Sequence, residues 1–305
     1  WSVYTEDVLG SFENYGDAAI VVLSRIGGEG ADSYFDHELG DGKNYLALND
    51  IEREMMANIK ALKDAGTIDK IVVLINTSNA LQLDFLKNNE YGVDATLWIG
   101  GVGQTGINAV AEILSGKVNP SGSLADTYCF DNYSSPVMQN FTPIVYEGDV
   151  AQIPEHADTY MVYQEGIYVG YKYYETRYED AIMGKGNAGE YKYSDDVAFP
   201  FGYGLSYTRF EYGDIAVKTD TLSREALKAG ERFEFTVALT NAGDYDAKET
   251  VQLYIHDPVA KMMRPLRELK AFEKRLVPKG ETVDVTLSLG FDDLGYYLPD
   301  GAYTV

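Results

Sequence analysis

The first third of the chain alternates short, wholly apolar runs with longer stretches whose apolar residues recur every three or four positions. That is the pattern of a parallel sheet with helices laid over both faces. "AAIVVLS" (18–24) reads as a strand, and "NDIEREMMANIKALKDAG" (49–66) as a helix opened by Asn49 or Asp50 and stopped at Gly66. "KIVVLINTS" (70–78) predicts a second strand, "ALQLDFLKN" (80–88) a short helix, "DATLWIGG" (94–101) a third strand and "INAVAEILSG" (107–116) a helix with a glycine stop. Three βα units in succession make a doubly wound α/β sandwich with a mostly parallel sheet the expected fold.

From about residue 117 the periodicity dissolves into Pro, Gly, Ser and Tyr, and the tyrosine-rich "YQEGIYVGYKYYETRY" (163–178) reads as irregular structure. After "FPFGYGLSYTRFEY" (199–212) the period changes to two. "RFEFTVALTNAG", "ETVQLYIHDP", "LKAFEKRLV" and "ETVDVTLSLG", separated by turns, predict a small antiparallel sandwich of the fibronectin type III or immunoglobulin kind. The expected boundaries are an α/β domain over 1–205 and an all-β domain over 206–305. A chain of 305 residues is long enough for two cores.

Composition narrows the function classes. No apolar run approaches the ~20 residues of a membrane-spanning helix, so no membrane segment is expected. A net charge of −23 repels phosphate backbones and argues against nucleic acid, while a neutral sugar is indifferent to it. Cys129 is the only cysteine, which excludes an internal disulfide and a thiolate metal cluster. No secretory leader or lipidation motif follows Trp1, and the compartment stays open between bacterial cytoplasm and the cell surface or secretion. A homo-oligomer is compatible with all of this.

Few motifs carry chemistry. "GGVGQTG" (100–106) places Gly101, Gly103 and Gly106 in the G-x-G-x-x-G spacing of a dinucleotide site, with Asp126 about where the ribose-binding acid belongs. Only turn material, "KVNPSGS", separates the two and no buried strand precedes Asp126, so close packing of strand, turn and helix is the better reading of the glycines. His37, His156 and His256 have no metal-ligand spacing, and Ser24, Ser78 and Ser121 lack a nucleophile elbow. No metal and no cofactor are expected. Glu29, in "RIGGEGADSYF" (25–35), stands apart: an acid among glycines directly after the first strand, where ligand crevices of α/β sheets open. The residues alone make it a candidate, with a solvated turn acid as the competing reading.

Five segments together resemble glycoside hydrolase family 3, specifically the portion that accompanies its catalytic barrel. The family's GEGxD loop is matched by Gly28, Glu29, Gly30 and Asp32, and its glycine segment and NPSG turn by "GGVGQTGINAVAEILSGKVNPSGSL". "EGIYVGYKYYE", "FPFGYGLSYTRFEY" and "TVQLYIHDPVAKMMRPLRELKAFEKRLVPKGETVDVTLSL" match the family's later motifs, so the resemblance runs nearly end to end. It implies an α/β sandwich followed by a fibronectin type III-like domain, in a retaining β-glycosidase of β-glucosidase type acting on terminal β-D-glucosyl residues. It further implies that Glu29 is the general acid/base, that Asp32, Ser24 and Arg25 bind substrate, and that the ligand is a β-linked glucoside or oligosaccharide. The nucleophilic aspartate of the family sits on a TIM barrel, of which no trace is found in these residues, so this chain alone is expected to be inactive. The opening strands of the family's sandwich are also not seen before Trp1, and Ser33 stands where the family often has arginine. The competing class is a non-catalytic carbohydrate-binding or scaffolding module of the same fold.

Overall fold

The computed structural model describes residues 5–30, 44–141, 144–145 and 159–305. Along the chain lie α1 (Glu6–Ser11), β1 (Ala18–Ser24), α2 (Asp50–Asp64), β2 (Lys70–Asn76), β3 (Ala95–Trp98), α3 (Ile107–Leu114) and β4 (Tyr128–Cys129). Then come α4 (Pro136–Gln139), β5 (Ile144–Val145), β6 (Thr159–Tyr160), α5 (Tyr171–Met183), α6 (Tyr193–Asp196) and β7 (Val197–Phe199). The last part holds β8 (Phe210–Val217), α7 (Arg224–Lys228), β9 (Phe233–Asn241), β10 (Ala247–Ile255), β11 (Glu268–Val277), β12 (Thr282–Leu289), α8 (Phe291–Leu294), β13 (Tyr296–Tyr297) and β14 (Tyr303–Thr304). These elements form two compact units, one of residues 1–110, 126–166 and 192–200, the other of 111–125, 167–191 and 201–305. Among the described residues, no helix is long and apolar enough to cross a membrane.

The first unit is built on a parallel sheet in the order β1-β2-β3. Register places Val21 beside Val73 and Leu23 beside Ile75 on one face, and all four are buried. α2 packs against β2 and buries Met56 and Ile59. Its start is a capping box: the Asn49 side chain accepts from the Glu52 N–H and the Glu52 side chain accepts from the Asn49 N–H, so two otherwise unpaired helix-end donors are satisfied reciprocally. Coverage of both faces is only partial, because Ile20 and Val22 of β1 keep 54% and 50% of their surface exposed on the opposite side. Of the short helix expected over 80–88, only a single 3-10 turn at Asp84–Leu86 is helical. Leu81, Leu83 and Phe85 are buried at alternate positions, and a period of two cannot be placed on one helix face.

Asp94 ties this unit's edges together. Its Oδ2 accepts from the Ile71 N–H at 2.8 Å and from Lys63 Nζ at 2.6 Å, which joins the entry to β3, the start of β2 and the end of α2. The Lys63 hydrogen bond, then the Ile71 N–H and the charges of Lys63 and Lys70, outweigh desolvation and hold the Asp94 carboxyl below its ordinary range. A depressed carboxyl stabilises the fold above its unfolded pKa of about 3.9 and loses that contribution as pH falls through the folded value. Asp94→Asn keeps an acceptor for Ile71 but removes the charge. Urea titrations are expected to show a loss of no more than about 1 kcal/mol at pH 7, discounted because the pair is partly solvated, and a difference from the parent that shrinks as pH falls through the folded value.

The second unit contains a β-sandwich. One sheet has the order β12-β9-β8, the other pairs β10 with β11, and all these pairings are antiparallel. Leu239, Val251, Val277 and Val285 form its core, with Phe210, Val237, Val283 and Leu287 packed around them, the alternation that period-two runs require. β8 carries a register shift between Tyr212 and Ile215. The tyrosine-rich stretch differs from its sequence reading: residues 171–183 are helical as α5, closed by Gly184 in the left-handed conformation. α5 folds onto the sandwich. The Tyr171 hydroxyl accepts from the Leu269 N–H at 2.9 Å, the Tyr171 ring stacks on Phe201 at 4.7 Å, and Glu175 pairs with Arg267 at 2.8 Å. Burial pushes the Glu268 carboxyl up, but its hydrogen bond from Arg264 and the charges of Lys270, Arg264 and Lys172 outweigh that and leave it below its ordinary value.

Candidate functional site

The turn that carries Glu29 leaves the carboxyl end of β1. The strand stops there because Arg25 makes the last ladder bond with β2, its N–H donating to Asn76 O at 3.3 Å, after which Ile26 and Gly27 are irregular, Gly28 sits in an isolated bridge and Glu29 and Gly30 form a turn. Gly30 has a φ of +73°, a left-handed conformation in which a side chain would be strained, so the glycine after the acid is required by the turn. Glu29 itself is exposed. Ser24, the last residue of β1, is also exposed and lies in register with Asn76, whose Nδ2 donates to Ser24 Oγ at 3.3 Å.

Arg25 points the other way. Its Nε donates to Tyr45 O at 2.5 Å, Nη1 to Ser24 O and to Glu52 Oε1, each at 2.7 Å, and Nη2 to Ala47 O at 2.6 Å and Glu52 Oε2 at 2.7 Å. A guanidinium has five N–H donors, and in this arrangement all are spent on the protein. The ion pair is enclosed, with 6% of the Arg25 side chain and 17% of the Glu52 side chain exposed. Burying such a pair is tolerated only where the remaining hydrogen-bonding capacity is met, as it is here. The Arg25 guanidinium also lies 5.6 Å from the Tyr45 ring centroid. The Tyr45 hydroxyl accepts from the Ile26 N–H at 3.0 Å and donates to Ile26 O at 3.2 Å.

The structure therefore brings Ser24, Arg25 and Glu29 into one short stretch at the sheet's carboxyl edge, with the Arg25 side chain turned into the protein. Asp32 and Ser33 lie outside the described residues, as do His37 and His156. Sequence reading missed Tyr45 and Glu52. Glu52 had a signal, since it stands three residues after Asn49 in a capping-box spacing; Tyr45 had none. The glycine segment after β3 serves its own turn: a Cβ on Gly106 would come within 2.3 Å of Val102 O. Asp126 accepts from the neighbouring Thr127 N–H at 2.8 Å, and desolvation raises its carboxyl above the ordinary range against that bond.

Comparison with known families matches residues 10–171 to the glycosyl hydrolase family 3 C-terminal domain and residues 249–305 to a fibronectin type III-like domain. Beta-glucosidase A of Butyrivibrio fibrisolvens is 30% identical over 322 residues, covering 96% of this chain and 34% of the relative. Thermostable beta-glucosidase B of Acetivibrio thermocellus is 34% identical over 227 residues, covering 74% of this chain and 25% of the relative. Among solved structures, beta-glucosidase 3B from Thermotoga neapolitana in complex with glucose aligns with a TM-score of 0.72 and 31% identity, covering 96% of this chain and 35% of the other. The chain thus spans about a third of the length of the relatives it matches.

Proposed function

We propose, for a chain that belongs to glycosyl hydrolase family 3 and carries that family's C-terminal and fibronectin type III-like domains, that it is the non-barrel part of a retaining β-glucosidase. In this reading Glu29 is the general acid/base, working against a nucleophilic aspartate on a catalytic barrel outside these 305 residues. The observation that carries it is an exposed acid on a glycine turn at the carboxyl end of β1, rooted in the sheet, in a chain whose relatives are named beta-glucosidases.

A retaining glycosidase needs two carboxyl groups about 5 Å apart, one to attack the anomeric carbon and one to protonate the departing oxygen. Glu29 supplies the second. In the first step its proton passes to the glycosidic oxygen as the C–O bond breaks and the nucleophile's oxygen bonds to the anomeric carbon. In the second step the same carboxylate takes a proton from water as that water displaces the nucleophile with overall retention. A general acid must hold its proton at working pH, and loss of surrounding water together with a nearby ionised carboxylate are the effects that keep it there. The ligand is a β-linked glucoside or oligosaccharide. Asp32 fixes the loop or meets a sugar hydroxyl, and Ser24 offers a hydroxyl at the same edge. The fibronectin type III-like part braces the assembly.

The test compares this chain alone with the same chain joined to a family 3 barrel. An aryl β-glucoside is expected to go unhydrolysed by the chain alone and to release the β-anomer of glucose first when the barrel is present. Turnover by the purified chain alone would overturn the division of labour. A joined protein that binds glucosides without cleaving them would make the chain a binding module.

A further inference from the structure

Resting on the assignment of Glu29, we infer that Arg25, Tyr45 and Glu52 are positioning residues for the acid/base turn, and that Arg25 acts through the backbone of that turn rather than on sugar. Three features of the cluster support this. The Tyr45 hydroxyl engages both polar backbone groups of Ile26, three residues before Glu29, so the point where the turn leaves the sheet is fixed from both sides. Arg25, one residue earlier, is clamped by a two-pronged ion pair to Glu52 and by the carbonyls of Ser24, Tyr45 and Ala47. Glu52 Oε2 also accepts the Asn49 N–H at 2.9 Å, so the same carboxylate closes the start of α2.

The brace is itself anchored. Leu46 and Leu48 are buried, Asn44 Oδ1 accepts from the Leu46 N–H at 2.9 Å, and the Gln82 N–H donates to Leu46 O at 2.7 Å. Segment 44–49 therefore cannot drift without opening the core of the first unit. A carboxyl that transfers a proton has to be held to within a fraction of an ångström of its target, and side chains locked by packing and a second layer of hydrogen bonds provide that. Between the brace and Gly30 the turn is only four residues long, Ile26 to Glu29, so fixing Ile26 limits where the carboxyl can reach.

Tyr45→Phe removes one hydroxyl and keeps the ring under Arg25; Arg25→Lys keeps the charge but loses the planar fork that reaches Glu52 and the carbonyls together. On this chain alone, amide exchange and 15N relaxation are expected to show Ile26 losing protection and Glu29 gaining amplitude in both variants, with β2 unchanged. In the barrel-joined protein, both are expected to lose ~10- to ~100-fold in kcat on glucosides with poor leaving groups, with KM nearly unchanged and much smaller losses on activated aryl glucosides. A merely structural cluster would lower the melting temperature and leave that leaving-group dependence as in the parent. Unchanged Glu29 amplitude, or equal losses across leaving groups, in Tyr45→Phe overturns the inference. Glu29→Ala run in parallel keeps the two ideas apart: a flat response there removes the acid assignment itself, whereas a leaving-group-dependent response there beside a flat Tyr45→Phe removes only the positioning role.

Discussion

Glu29→Ala, in a protein that unites this chain with a catalytic barrel, is expected to slow glycosylation by about a hundred- to ten-thousand-fold on glucosides whose leaving group needs a proton. Activated aryl glucosides, whose phenolate departs unaided, should lose far less in that step. The second step should also suffer, because the incoming water loses its base, so activated substrates are expected to show a burst followed by slow turnover. Azide needs no deprotonation and fits the volume the side chain leaves. It should restore turnover of activated substrates and yield a glucosyl azide of retained configuration, read by kinetics and by product NMR. If Glu29 is only a solvated turn acid, rates stay near normal on every substrate and no azide product forms. Small, equal losses would turn attention to Asp32, the next carboxyl on the loop.

The largest effect on stability is expected at Asn241, which is fully buried in the sandwich. Its Nδ2 donates to Tyr245 O at 2.7 Å and to Val277 O at 2.9 Å, and its Oδ1 accepts from the Thr208 hydroxyl at 2.7 Å and the Gly243 N–H at 3.2 Å. Two donors and two acceptor positions are all a carboxamide has, and all are used. Asn241→Ala removes the carboxamide that serves two carbonyls, a hydroxyl and an N–H, the bond to Val277 O fully buried and the others partly so, an expected loss of about 2–4 kcal/mol by urea unfolding. Asn241→Asp preserves shape but turns a carboxylate toward two carbonyls. At pH 7 it should cost about 3–5 kcal/mol, the range for an uncompensated buried charge. Such a carboxyl has a folded pKa above its unfolded value of about 3.9, so the penalty is small below that value and grows as pH rises toward the folded one. The variant should therefore lie closer to the parent at pH 4 than at pH 7, whereas Asn241→Ala should show no such recovery.

How much could be read in advance follows from where the determining contacts sit along the chain. β1, β2 and α2 were legible because their signals are local: a largely apolar run for each strand, and for α2 an opening Asn49 or Asp50, a periodic stripe and a stop at Gly66. α5 was hidden because Gly170 supplies no side-chain cap and because tyrosine blurs the contrast between faces, serving as packing surface at Tyr171 and Tyr174 and as polar surface elsewhere. β8 was hidden by its own irregularity, since Gly213 and Asp214 interrupt the alternation. At the candidate site, the position of Glu29 at the end of a strand was visible. The use of Arg25 was not, because its partners Tyr45 and Glu52 lie 20 and 27 residues away, and no local pattern tells an arginine that faces a ligand from one that faces its own protein.

The irregularity in β8 has a consequence for how the protein behaves at high concentration. β8 is the outer strand of its sheet, and Tyr212, Ile215 and Val217 along it are exposed. A straight eight-residue outer strand with such side chains would be a template on which another chain could add its own strand, the first step toward fibrils. The two residues that slip the register between Tyr212 and Ile215 bend and twist that edge, and one of them, Asp214, carries a charge, so the row of free backbone groups is broken before a second chain can match it. Deleting Asp214 alone, which leaves one residue opposite Ala238 and restores the regular ladder, is therefore expected to make this edge a better template for strand addition and the protein more prone to aggregate.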